Sequence, residues 1–177
     1  MKIQTSSGQW LDPLAPEPDA LLLKDVAHAL AQLPRFGGHG RLSPEGFTWT
    51  VALHSLEVAR RLERDGHPRE VVRCGLMHDA TEAYLVDVPR PVKARLPQYR
   101  AVEDALWRAL AARFSLPADI PPEVHAADTA QLYVEAVHFM DVSTWDVPDE
   151  ARLAPRPRVV SPVEARALFL AEFARLS

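Results

Sequence analysis

His78 and Asp79 stand side by side in the otherwise apolar segment GLMHDATEAYL. An imidazole and a carboxylate are costly to bury in a helix unless both have a polar partner. A metal ion is such a partner, because divalent cations accept imidazole and carboxylate ligands. Taken alone, the dipeptide is better explained as a helix cap or a surface pair. It becomes informative only together with other inward-facing polar residues.

Two such residues lie on other predicted helices. His54 shares its helical stripe with Val51 and Val58, and Asp128 lies one turn from both Val124 and Leu132. Considered singly, His54 is explained as a core histidine, and Asp128 as a cap or a salt-bridge partner. Considered with His78 and Asp79, they supply two imidazoles and two carboxylates from three packed helices. This set predicts one divalent ion (cobalt, manganese, zinc or magnesium) with positions left open for water and substrate.

The elements that must position these residues follow from apolar spacing of three to four residues and from the prolines that interrupt it. A hairpin around Ser6-Ser7-Gly8 is predicted within an irregular segment 1–18, and a glycine-rich loop is predicted over 35–47. Residues 141–160 are predicted to cross the surface. Helices are predicted over 19–33, 48–64, 68–85, 98–114, 122–140 and 161–177. The predicted fold class is therefore all-α, with a single domain over residues 1–177.

Composition excludes several classes of protein. Net charge is −4 with acidic and basic residues interspersed, which disfavours a nucleic-acid polymer or a membrane surface as partner. No apolar run approaches the roughly 18 residues of a membrane span, and the first ten residues lack a signal peptide's apolar stretch, so a cytoplasmic protein is expected. The single cysteine, Cys74, excludes an internal disulfide and a thiolate zinc cluster.

The order H…HD…D, with 24 residues from His54 to His78 and 49 more from Asp79 to Asp128, resembles the HD-domain metal phosphohydrolases. The segments HSLEVA, HDATEAYLVDVPRPVK and AAD are similar to the bacterial 5′-deoxynucleotidase (YfbR-like) branch. The segment RFGGH, residues 35–39, is similar to that branch and to phage and bacterial deoxyadenosine triphosphate triphosphohydrolases. The likeness runs from about residue 20 to 140, and its pattern HDxxExxxxDxPxPxK is long. It implies an HD-domain helical bundle.

The resemblance also implies roles for two further carboxylates and for Asp79 itself. Glu82 is expected beside the metal, where it orients the attacking water or protonates the leaving oxygen, and Asp79 is expected to act in catalysis as well as in metal binding. A solvated helix carboxylate is the alternative for Glu82. Asp87 matches a residue that contacts the sugar 3′-hydroxyl, and a cap of the proline-rich turn explains it equally well.

Four more substrate contacts are implied. Arg35 matches an arginine that binds phosphate, for which the fork of a guanidinium is suited. Lys93 adds positive charge near that phosphate, or is a solvated lysine. His39 contacts the base or the phosphate, or caps the glycine loop. Phe36 stands where the deoxynucleotidase has a tryptophan against the sugar, so this departure bears on sugar discrimination.

The activity implied by the resemblance is hydrolysis of 2′-deoxyribonucleoside phosphates with release of phosphate. The alternatives are a deoxynucleoside triphosphate triphosphohydrolase, which releases triphosphate, and a non-catalytic nucleotide-binding module. The expected partner is a small deoxynucleotide, and relatives of this kind lead us to expect a homo-oligomer, a dimer or larger.

Overall fold

The computed structural model describes residues 2–177 and is built almost wholly of helices, which confirms the predicted all-α class. A two-stranded antiparallel hairpin precedes them and confirms the predicted N-terminal hairpin. The strands are β1 (Ile3–Gln4) and β2 (Trp10–Leu11). The helices are α1 (Leu23–Gln32), α2 (Val51–Arg64), α3 (Arg69–Met77), α4 (Glu82–Leu85), α5 (Arg90–Lys93), α6 (Pro97–Phe114), α7 (Pro122–Phe139), α8 (Asp149–Leu153) and α9 (Pro162–Leu176).

The hairpin is held to α1 by one buried carboxylate, Asp25. The hydroxyls of Thr5, Ser6 and Ser7 and the backbone N–H of Ser7 all donate to its two oxygens, at 2.7 to 2.9 Å. Burial acts to raise the pKa of Asp25, but these hydrogen bonds outweigh it and hold the pKa below its usual range. The turn around Ser6-Ser7-Gly8, from which the hairpin was predicted, therefore also anchors the hairpin to α1.

The start of α1 differs from the prediction. Residues 18–20 form a separate 3₁₀ turn, and Leu22 is extended, so α1 begins at Leu23 rather than at Asp19. Its end agrees, because Pro34 restricts Leu33 to an extended conformation.

The glycine-rich loop returns to the start of α2. Arg35 N–H donates to the Trp49 carbonyl at 2.9 Å, and Val51 N–H donates to the Leu33 carbonyl at 3.0 Å. Phe36, in the 3₁₀ turn Arg35–Gly38, has a φ of +56°, a value that few side-chain-bearing residues adopt. These contacts fix Arg35 directly beside the first turn of α2.

The third predicted helix is interrupted at His78 and Asp79. Instead of running on to Leu85, α3 ends at Met77, and the chain reaches α4 through a tighter turn. Ala80 N–H donates to the Met77 carbonyl at 2.9 Å, and Glu82 N–H donates to the Asp79 carbonyl at 3.0 Å. These are i to i+3 bonds, the 3₁₀ pattern, which within helices is frequent at functional positions. The apolar spacing continues through this turn, so it could not be predicted.

Helix α2 lies at the centre of the bundle and packs against α1, α3, α7 and α9. Gly75 allows the close approach of α3, because a Cβ at this position would overlap Leu62 Cδ1. The predicted surface segment 141–160 contains one element that was not predicted, α8, which buries Ala151 against Val134 of α7. In the part of the chain that the structure describes, no helix has the length and apolar character needed to cross a bilayer.

Candidate metal centre and its cavity

Three predicted ligands meet at the centre of the bundle. His54 Nε2 from α2 lies 3.3 Å from His78 Nε2 at the end of α3, and 3.2 Å from Asp128 Oδ1 on α7. His78 Nε2 lies 3.9 Å from the same oxygen. These atoms come from residues far apart in the sequence, and they form a group that could hold a metal ion.

Asp79 lies against the same group. Its Oδ2 is 3.3 Å from His78 Nε2 and 3.6 Å from His54 Nε2. This oxygen is buried and makes no hydrogen bond among residues 2–177. A buried carboxylate oxygen that makes no hydrogen bond and lies beside two imidazoles is free to bind a metal, so the donor set fits a divalent ion.

Each histidine ring is held by a contact at its Nδ1, on the side away from the shared centre. His78 Nδ1 lies 2.8 Å from the Gly75 carbonyl, and His54 Nδ1 lies 2.7 Å from Glu135 Oε1. A proton on each Nδ1 satisfies these contacts and leaves each Nε2 lone pair facing the shared centre. This is the arrangement that a metal-ligating histidine requires.

Glu135 also belongs to the candidate centre, although it was not predicted from the sequence. Its side chain is wholly buried, and its two oxygens contact the ring of His54 and the guanidinium of Arg35. It follows Asp128 by seven residues, two helical turns, so both project from one face of α7. That spacing, together with a carboxylate between Val134 and Ala136, is the signal by which it could have been found.

Two neighbouring carboxylates favour the protonated form of His54. Burial and the Arg35 charge act to lower its pKa, but Glu135 and Asp128 outweigh them and raise the pKa to about 9. Without a metal, His54 is therefore protonated at neutral pH, and a metal ion must displace this proton to bind.

Arg35 is buried between the centre and Glu135. Its Nη1 lies 3.5 Å from Asp79 Oδ2, and its Nε lies 3.4 Å from Glu135 Oε2. Phe36 is half-buried under its guanidinium, 5.8 Å from ring centre to Cζ, and His39 is exposed. The structure thus brings Arg35 to the centre, whereas Phe36 and His39 do not line the adjoining cavity.

A cavity of about 600 Å³ opens on this centre, and Arg35, Glu82, Asp87 and Lys93 line it with His78, Asp79 and Asp128. Lys93 is not free within it, because its Nζ donates to Glu103 Oε1 at 2.7 Å. Arg90, which the sequence analysis also missed, donates from Nη2 to Asp128 Oδ2 at 2.6 Å and is largely exposed at the cavity mouth. The predicted substrate residues other than Phe36 and His39 therefore share one cavity with three of the predicted ligands, His78, Asp79 and Asp128.

Glu82 is a buried carboxyl group beside this centre. Burial, followed by the negative charges of Asp79 and Asp87, raises its pKa well above the usual range, and its Oε2 is buried without a hydrogen bond to any residue of 2–177. Burial likewise raises the pKa of Asp87. Cys74, by contrast, is a buried core residue whose thiol pKa is raised by burial to about 12, so it is inert.

Comparison with known proteins finds no matching family model. It does find relatives along almost the whole chain. The uncharacterized protein YfdR of Escherichia coli (strain K12) is 30% identical, over 99% of this chain and 95% of its own length. The uncharacterized protein RCAP_rcc00048 of Rhodobacter capsulatus is 33% identical, over 93% of this chain and 90% of its own. The chain therefore belongs to the protein family that includes YfdR and RCAP_rcc00048.

Proposed function

We propose that this protein is a metal-dependent phosphohydrolase of the HD superfamily that acts on 2′-deoxyribonucleoside phosphates and releases phosphate. The observation that carries the proposal is the convergence of His54, His78, Asp79 and Asp128 at one end of a cavity that also contains Arg35. The cavity volume lies within the range of about 300 to 1,000 Å³ that is usual for small-molecule sites.

The donor set supports a divalent ion, which when bound would polarise a phosphate oxygen and lower the pKa of water from 15.7 towards about 7. Arg35 supplies a permanent positive charge beside it for the phosphoryl oxygens. Because Glu135 and Asp79 flank the guanidinium, Arg35 is held in place before substrate arrives. The chain thus provides both the cation site and a fixed anion contact.

Glu82 is suited to manage the proton. The Glu82 carboxyl, whose pKa is raised, donates its proton to the 5′ oxygen as the phosphorus–oxygen bond breaks. The oxygen of the attacking water forms the new bond to phosphorus, and one proton of that water returns to Glu82. Asp87 lines the same cavity and is placed in this proposal at the sugar, where it accepts from the 3′-hydroxyl.

A triphosphohydrolase is the second candidate. The observation that favours it is Arg90, which lies one helical turn from Lys93 on α5 and adds a cation at the mouth of the cavity. A longer phosphate chain extending outwards from Arg35 would meet Arg90 next. Both activities break the bond at the 5′ oxygen, so they share the proposed machinery and differ in the product released.

The test is a panel of deoxy- and ribonucleoside mono- and triphosphates, each with manganese, cobalt, magnesium and zinc, in which phosphate and triphosphate are measured separately. We expect metal-dependent release of phosphate from deoxynucleoside monophosphates, abolished by a chelator and by Asp79→Ala. Triphosphate as the product would favour the second candidate. Nucleotide binding without turnover under any metal would contradict both and leave a non-catalytic module.

A further inference from the structure

A second cavity, of about 970 Å³, lies between α2, α7 and the segment 150–158. Helix α2 contributes Arg61 and Arg64, which are three residues apart and share a face of the helix. Helix α7 contributes Gln131, and the segment contributes Arg156 and Arg158. Four arginines from two separate parts of the chain therefore surround one cavity.

This cavity is separate from the candidate metal centre. His125, Asp128 and Thr129 line the metal-centre cavity, whereas Gln131 and Val134 line the second one. No residue lines both cavities. A ligand in the second cavity would therefore contact none of the residues that line the metal-centre cavity.

Gln131 is the first sign that the second cavity receives a ligand. Its side chain is 3% exposed, and its amide nitrogen has no hydrogen-bond partner among the described residues. A buried amide donor left without an acceptor costs about 1 to 3 kcal/mol, so such groups are uncommon in folded proteins. Arg61 Nε is likewise buried and without a partner.

The charges point to an anion. Arg64 and Arg156 make no ion pair within residues 2–177, while Arg61 and Arg158 each reach one carboxylate, those of Glu150 at 3.3 Å and Glu164 at 3.0 Å. Glu57, Asp65 and Glu150 also line the cavity and reduce its positive potential. A ligand therefore needs more than one negative charge to gain from the arginines.

The arginine-bearing segment is stiff. Pro155 and Pro157 restrict Ala154 and Arg156, the residues before them, to extended conformations. The guanidinium of Arg156 also lies 5.5 Å from the centre of the buried Phe139 ring. Because its backbone is restricted and its guanidinium lies beside an aromatic ring, Arg156 loses less freedom on binding an anion than an arginine of a flexible loop.

We infer that this cavity is a binding site for a small molecule that carries two or more phosphate groups. Guanidinium forks match phosphate oxygens pairwise, and arginines from α2 and from the 150–158 segment reach such a ligand from two sides. The Gln131 amide then donates to an oxygen of the same ligand. The inference rests on residues other than those of the proposed function.

The test is calorimetric binding of inorganic pyrophosphate to the full-length protein without added metal. The variant R64A/R156A removes the two unpaired arginines, and the matched control R108A/R152A removes two exposed arginines that do not line the cavity. Arg35→Gln serves as a third protein, to exclude binding at the metal centre, because Arg35 is the anion contact proposed there. We expect wild type, the control and Arg35→Gln to bind pyrophosphate alike, and R64A/R156A to bind at least about tenfold more weakly.

Equal binding by R64A/R156A and R108A/R152A would overturn the inference. So would binding that Arg35→Gln abolishes, or no binding by the wild type. Because both replaced side chains are exposed, folding is expected to survive, and thermal melts of the two double variants check this. If R64A/R156A does not fold, the single variant Arg64→Ala carries the same comparison.

Discussion

At the scale of single residues, Glu135 contacts both a predicted metal ligand, His54, and the predicted phosphate-binding residue, Arg35. One of its oxygens contacts the His54 ring at 2.7 Å, and the other lies 3.4 Å from Arg35. A carboxylate behind a metal-ligating histidine sets its tautomer and increases its basicity. His54 and Asp128 could be predicted from the sequence because each interrupts an apolar stripe. The contact of Glu135 with His54 could not, because it forms only when α2 and α7 pack together.

Glu135→Gln is expected to weaken binding of a divalent ion by about ten- to a hundredfold while keeping the side-chain volume. Affinity is measured by chelator competition from pH 6 to 9, because loss of the Glu135 charge also lowers the His54 pKa and so reduces proton competition. The full loss of metal affinity is therefore expected near pH 9. Glu123→Gln, an exposed position on the same helix, is the control, and equal affinities for both variants at pH 9 would refute the role of Glu135.

Glu82→Gln is expected to keep the metal but lose about 10² to 10⁴-fold in kcat. Because burial raises the pKa of Glu82, its proton persists to higher pH than that of a solvated glutamate, and the wild-type rate should fall as pH rises through that pKa. The variant should lack this decline. The measurement is kcat against pH with metal content determined in parallel. Asp104→Asn, an exposed carboxylate of the same cavity, should behave like the wild type. A near-normal kcat in the Glu82→Gln variant would contradict the proposed role of Glu82 in proton transfer.

At the scale of elements, the packing of α3 on α2 sets the separation of His78 and His54. Gly75 makes this packing possible, and its carbonyl also accepts from His78 Nδ1. The sequence predicted both helices from their apolar spacing. It did not predict that α3 ends before His78, because apolar residues continue through the turn that follows. The short α8 escaped prediction for a different reason, since prolines surround it.

Gly75→Ala is expected to lower the free energy of unfolding by about 1 to 3 kcal/mol, because the added methyl group must displace Leu62. It should also weaken metal binding, since the two histidines move apart. Urea unfolding and metal titration measure the two effects. In a Leu62→Ala background the same substitution should cost clearly less, and strict additivity of the two changes would contradict the proposed overlap.

Asp25→Asn tests the anchor of the N-terminal hairpin. The variant keeps the shape but loses the charge that four donors stabilise, so we expect a loss of about 1 to 3 kcal/mol at pH 7. Since the folded pKa of Asp25 lies below the ordinary value of 3.8, its contribution is fully present above about pH 4 and disappears as pH falls through the folded value. The gap between wild type and variant should therefore narrow at low pH. Asp19→Asn, an exposed position, is the control, and a gap that persists unchanged at pH 2.5 would argue against the anchor.

At the scale of the whole molecule, the all-α class could be predicted from proline placement and helical spacing. The cavity could not, because it forms where α5, α6 and α7 approach the end of α3, and no local pattern encodes that approach. Arg90 illustrates the limit, since only the folded chain brings it within 2.6 Å of Asp128. The homo-oligomer stays a prediction, for which the molar mass in solution is the direct measurement.

The central claim is that His54, His78, Asp79 and Asp128 bind one divalent ion together. The most direct test is anomalous diffraction from crystals of the protein loaded with cobalt or zinc. We predict a single strong peak within about 2.0 to 2.3 Å of one nitrogen from each histidine and one oxygen from each aspartate. A peak elsewhere, or no peak among these four residues at saturating metal, would contradict the account.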